Sequence, residues 1–197
     1  MSILYTEHGS YLYGLNHSGS DYDTYEVVRV GRTRQKVADG LDHTTVALSD
    51  FLDKVQRGVP QALEALWSPV KQVDPDWEAF LSGLQPDYYR TIDTYQRTIK
   101  NFLNAGDSKK WKHAVRMSFN LRDFKAEGVF NPRLTPAQLY VVLNAHQQEV
   151  AARCVYLNTR IVWEGFILYG GGCAKAGSCC ECNKPYPCPT LQLVQEG

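Results

Sequence analysis

The chain has 197 residues, 44% of them hydrophobic and 21% charged, and its 21 basic and 21 acidic side chains cancel. That length holds one compact domain or two small ones, and the zero balance removes any overall field drawing it to DNA or an anionic membrane. No apolar run nears the roughly 20 residues needed to cross a bilayer, and "MSILYTEHGS" lacks the basic start and long apolar stretch of a signal peptide. A cytoplasmic protein with no membrane partner is therefore expected.

In chain order, "ILYTE" (3–7) reads as a short buried strand. "DYDTYEVVRV" (21–30) alternates and then turns apolar at Val27 and Val28, as a central strand does. "RTRQKVADG" (32–40) reads as a polar connection closing on Gly40, and "HTTVAL" (43–48) as a β-branched strand. Helical signals then take over. Ser49 is expected to cap "DFLDKVQRG", which carries acids in its first turn and Gly58 at its end. "PQALEALW" (60–67) is a short helix stopped by Pro69. In "DPDWEAFLSG" (74–83), Asp74 caps, Pro75 suits the first helical position and Gly83 ends the run.

Between Asp87 and Gly106, apolar residues at Tyr88, Ile92, Tyr95, Ile99, Phe102 and Leu103 form a helical stripe. Ser108 opens "KKWKHAVRMSFNLRDFKAEG", ending at Gly128. Thr135-Pro136-Ala137-Gln138 is a capping box, and a long helical pattern runs from it toward Tyr169 before "GGG" (170–172). The sum predicts an α+β protein: a small mixed β-sheet head followed by a mostly helical body. The expected division is a head over 1–70, a helical body over 71–170 and a Cys-rich tail over 171–197.

The chemistry concentrates in "HGSYLYGLNHSGSDYDTYEVV" (8–28). On a strand, Asp21 and Asp23 point to the same side, roughly 7 Å apart along the chain, while Tyr22 turns the other way. Two carboxylates aimed at one spot repel unless a cation lies between them. Mg²⁺ or Mn²⁺ suits such hard oxygen ligands and shares itself with substrate phosphates. Ahead of the acids, Gly9 and Ser10 form a turn in which glycine lets the backbone approach a ligand. Donors on one side and metal-loaded acids on the other describe a triphosphate site.

The order Gly9-Ser10, Gly14, Ser20-Asp21-x-Asp23 resembles the signature of the DNA polymerase β-like nucleotidyltransferase superfamily. It is closest to the uncharacterised "predicted nucleotidyltransferase" group of bacteria and phages. "PQALEALWSP" (60–69) and "WKHAVRMSFNLRDF" (111–124) extend the resemblance over roughly residues 1–130, and the tail has no counterpart. The resemblance implies Mg²⁺-dependent transfer of NMP from an NTP to an acceptor hydroxyl, on a protein, an RNA end or a small molecule, with release of pyrophosphate. It implies Asp21 and Asp23 as metal-binding catalytic acids, and Gly9, Ser10 and Ser20 at the nucleotide. It also implies a third acid on a neighbouring strand. Asp42 is the preferred choice over Asp39 and Asp50, since Asp50 can instead stabilise the amino end of its own helix. A non-catalytic nucleotide-binding or toxin–antitoxin-type module on the same fold is the competing reading.

"KKWKHAVR" sets Lys109, Lys112, His113 and Arg116 at helical spacing. A solvated helix face is one reading. The resemblance implies the other, in which Lys112, His113 and Arg116 approach the nucleotide phosphates. Tyr88, Tyr89 and Tyr95 either stack on a base or pack, and Trp67, Trp77 and Trp111 are expected in the core between helices. Five of the six cysteines crowd into residues 173–188. Cys173, Cys179, Cys182 and Cys188 are candidate zinc ligands, although C-C-x-C with two five-residue gaps matches the usual paired C-x₂₋₄-C knuckles poorly. Reduced thiols, or disulfides formed on oxidation, compete with that reading.

Overall fold

A computed structural model describes residues 1–105 and 108–145. Its elements are β1 (Ser2–His8), α1 (Gly9–Tyr13), β2 (Tyr22–Val28), β3 (Arg34–Ala38), β4 (Leu41–Ala47), α2 (Leu48–Gln56), α3 (Pro60–Leu66), β5 (Gln72–Val73), α4 (Pro75–Ser82), α5 (Tyr88–Asn104), α6 (Ser108–Glu127) and α7 (Pro136–Ala145). The fold is α+β, a mixed five-stranded sheet followed by helices. The four tail cysteines and the helical pattern toward Tyr169 lie outside the described residues. Among the described residues no helix is long and apolar enough to cross a membrane.

The sheet runs β3-β4-β2-β1-β5. β2 and β4 are parallel, and the other pairs are antiparallel. Strand alternation divides the side chains between two faces. Leu4, Thr6, Tyr25, Val27 and Val46 share one face and are all buried. Phe51 and Val55 of α2 and Leu63 and Leu66 of α3 are buried as well, with the Phe51 ring 6.4 Å from that of Tyr25. Each such apolar side chain contributes roughly 1.5–3 kcal/mol by leaving water. The opposite face is polar. Tyr22 donates its hydroxyl to Glu7 at 3.1 Å, and Thr24 meets His43 Nδ1 at 2.8 Å. Burial, and then the hydrogen bond to Glu7, push the Tyr22 hydroxyl above its ordinary pKa.

Several elements depart from the sequence expectation for identifiable reasons. The polar stretch at 32–40 contains β3, an edge strand whose five residues are all exposed and so show no apolar alternation. β3 returns into β4 through Asp39 (φ +50) and Gly40 (φ +77), an Asp-Gly hairpin turn with both residues in the left-handed region. α2 begins at Leu48 with Ala47 as its N-cap, so Ser49 is not the cap. Asp74 does cap α4, accepting from the Asp76 N–H at 3.1 Å.

The described residues form two compact units, 1–94 with 131–133, and 95–105 and 108–130 with 134–145. In the first, Gly58 closes α2 at φ +65, and a β-carbon there would stand 2.3 Å from Thr91 Cα. Backbone cannot yield as a flexible side chain does. Gly58→Ala should therefore cost roughly 2–4 kcal/mol from overpacking and left-handed strain together. Urea unfolding with a midpoint indistinguishable from the wild type would refute this.

In the second unit, Ile99 and Leu103 of α5 and Ala114, Val115, Phe119, Leu121 and Phe124 of α6 are buried, as are Val141 and Val142 of α7. Tyr95 is buried edge-to-face against Phe130, with centroids 5.9 Å apart, so it packs and is not a base-stacking platform. Tyr89, in contrast, is 80% exposed. The capping box is reciprocal: Thr135 N–H donates to Gln138 Oε1 at 2.9 Å, and Gln138 N–H to Thr135 Oγ1 at 3.3 Å. Trp67, Trp77 and Trp111 are half-buried instead of filling the core. The Trp111 indole N–H reaches the Leu103 carbonyl at 3.3 Å.

Candidate active site

β1 runs straight into α1 through His8, which keeps extended backbone (φ −136, ψ −177). Gly9 then turns the chain at φ +59. The register pairs His8 with Asp23 across β1 and β2, and Asp23 with Asp42 across β2 and β4. Directly paired residues share a face, so His8, Asp23 and Asp42 form one row across three adjacent strands. Of the three candidates for a third acid, Asp42 is the one that pairs directly with Asp23. Asp39 lies in the β3–β4 turn, and Asp50 lies in the first turn of α2, where it accepts from the Thr33 hydroxyl at 2.5 Å.

The Asp23 carboxylate rests against Gly9. A β-carbon at Gly9 would fall 1.9 Å from Asp23 Oδ2 and 2.8 Å from its carboxyl carbon. Only glycine leaves room for the acid in that position. Asp42 is held from the other side, where the Gln35 side-chain amide donates to Oδ1 at 2.9 Å and Oδ2 at 2.6 Å. Asp21 is exposed one residue ahead of β2, and the Tyr22 N–H donates to the Gly40 carbonyl at 2.8 Å, so pairing extends between the two acids. Ser20 closes a turn: its hydroxyl accepts from the His17 N–H at 2.9 Å and its N–H donates to the His17 carbonyl at 2.9 Å. Ser10 is half-buried in the first turn of α1.

A second layer, which sequence reasoning missed, lies beneath the turn. Glu64 of α3 is 1% exposed and accepts from the Tyr13 hydroxyl at 2.6 Å. Its Oε2 is also 3.5 Å from His8 Nε2. The His8 ring sits 5.6 Å from Tyr25 and 6.1 Å, edge-on, from Tyr13. The Tyr25 hydroxyl is buried with no hydrogen-bond partner among the described residues, and burial, with Asp50 adding to it, raises its pKa. The one sequence sign of this layer is an acid inside "ALEAL", where every neighbour is apolar.

The basic helix belongs to the second unit, and the carboxylates to the first. Lys109 is exposed and Lys112 half-buried, and the His113 ring lies 5.8 Å from Phe102. Arg116 is buried, because α6 is covered on all sides from Ala114 to Leu121. A uniformly solvated basic face is therefore excluded at Arg116. No family model matches the chain, and no curated protein matches it either.

The donor set suits a hard divalent cation. Among the described residues no group of three or more His, Cys, Asp or Glu side chains is placed to hold a metal ion. Mg²⁺, however, is ordinarily held by one or two carboxylates, with water and substrate phosphates filling the rest. Asp23 and Asp42, neighbours on one face, supply that pair. The glycine cradle against Asp23 fixes one carboxylate, and Gln35 fixes the other.

Proposed function

We propose that the chain is a nucleotidyltransferase of the DNA polymerase β-like type, moving NMP from an NTP to an acceptor hydroxyl in the cytoplasm, where NTPs are abundant. The observation that carries this reading is the Asp23–Asp42 row packed against Gly9, with Asp21 immediately ahead of it. Asp23 and Asp42, joined by Asp21, would hold Mg²⁺ or Mn²⁺, which when bound neutralises the triphosphate and lowers the pKa of an attacking hydroxyl. In the reaction an acceptor oxygen bonds to the α-phosphorus, the α–β bridging bond breaks and pyrophosphate leaves. The chain's contribution is positioning and charge rather than a covalent intermediate. Gly9 keeps the backbone low enough for Asp23 to face the ligand. Gln35 restrains the rotation of Asp42, and the exposed Asp21 faces solvent, from which substrate arrives.

The test is incubation of the purified protein with α-labelled NTPs, Mg²⁺ or Mn²⁺ and three acceptor classes: proteins, RNA ends and small hydroxyl compounds. Label is expected on one acceptor class, with stoichiometric pyrophosphate and complete loss in EDTA. No transfer with any acceptor and either metal, alongside tight NTP binding, would favour a binding module instead.

A further inference from the structure

We propose that Glu64 is a positioning residue for the Asp23 carboxylate, acting through Tyr13, His8 and Gly9; the inference rests on the metal-binding role of Asp23 proposed above. Glu64 is the one acid in the otherwise apolar run Ala62–Leu66, and it is as deeply buried as its neighbours. A carboxylate taken out of water is costly unless its oxygens are engaged. Here one of them, Oε2, lies against two residues that bracket the turn. Tyr13, the last residue of α1, donates its hydroxyl at 2.6 Å, and His8, the last residue of β1, brings Nε2 to 3.5 Å. The four residues between these anchors begin with Gly9, whose missing β-carbon is the space that Asp23 Oδ2 occupies.

A rigid link therefore runs from α3 to both ends of the turn, and from the turn to the carboxylate. Were Gly9 to move toward β2, it would displace Asp23. Were it to move away, Asp23 would lose the wall that fixes its side-chain angle. A leucine at position 64 would fill the same volume but remove the acceptor of the 2.6 Å hydrogen bond from the Tyr13 hydroxyl. The acid serves direction as well as packing.

The experiment uses the full chain and Mn²⁺ binding read by electron paramagnetic resonance, with α,β-methylene-ATP present. Glu64→Gln and Tyr13→Phe are each expected to weaken Mn²⁺ binding about tenfold, the scale on which groups behind a ligand tune metal affinity. Tyr13→Phe keeps the ring, so it remains informative if Glu64→Gln fails to fold. Gly58→Ala, destabilised away from the carboxylates, should bind Mn²⁺ as the wild type does. If it weakens binding equally, general loosening explains the effect and the proposal falls. Wild-type binding with both site variants within twofold sinks the positioning role alone and leaves the transferase reading standing. A wild type that binds no Mn²⁺ with the nucleotide analogue sinks both.

Discussion

Asp23→Asn is expected to lower metal-dependent transfer roughly a thousandfold, about 4 kcal/mol of transition-state stabilisation. The amide has the size of the acid and can still lie against Gly9, so the fold should survive with an unchanged unfolding midpoint. What it lacks is charge. Asp23 sits in the middle of the row, flanked by His8 and Asp42, and neutralising it removes half of the paired charge. Asp21→Asn should likewise abolish transfer. Asp42→Asn should cost less, roughly a hundredfold on the same free-energy scale, because Gln35 can still hydrogen-bond the side-chain oxygen that remains. Asp50→Asn, in the first turn of α2, should leave transfer within about twofold, since its charge acts on its own helix end. Initial rates with labelled NTP give the ranking. Retention of more than about a tenth of wild-type transfer by either Asp21→Asn or Asp23→Asn would overturn the metal-binding role proposed for these acids.

Gly9→Ala should match the loss caused by Asp23→Asn without touching a charge. The added methyl would meet Asp23 Oδ2 at 1.9 Å, a distance no side chain tolerates, so the carboxylate must rotate away. Left-handed backbone at φ +59 adds about 1–2 kcal/mol of strain for any residue with a β-carbon. Stability should fall by about that amount, while transfer falls by orders of magnitude more than the destabilisation accounts for. The pair is coupled, so Gly9→Ala introduced into Asp23→Asn should reduce transfer little further. Additive losses in this double-mutant cycle would mean that Gly9 acts independently of Asp23.

The sequence makes some of these relations readable and hides others, on physical grounds. The strand that carries Asp23 is legible because a period of two is visible in its local spacing, whereas Asp21 falls one residue ahead of it. The Asp74 cap and the Thr135–Gln138 box are legible because capping is satisfied within three residues. β3 is hard to read because an edge strand exposed on both faces carries no apolar alternation, although Asp39-Gly40 signals its hairpin. Ser49 misleads because Ala47 already supplies the extended backbone that opens α2. The role of Glu64 is hidden because its partners lie 51 and 56 positions away in the chain, at Tyr13 and His8. Local pattern therefore locates the acids, whereas the scaffold behind them emerges only from tertiary contact.

The parallel pairing of β2 with β4 ties folding accuracy to chemistry. Val46 and Asp42 are four residues apart on one strand, so both face the same side of the sheet. If β4 slid by a single position, Val46 would turn toward solvent, and His43 in place of Asp42 would arrive beside Asp23. The penalty for exposing the valine thus proofreads the alignment of the carboxylates. By the same parity, an insertion or deletion of one residue between 42 and 46 puts Asp42 and Val46 on opposite faces, so that either the carboxylate row or the core loses its member, whereas a change of two preserves the facing of both.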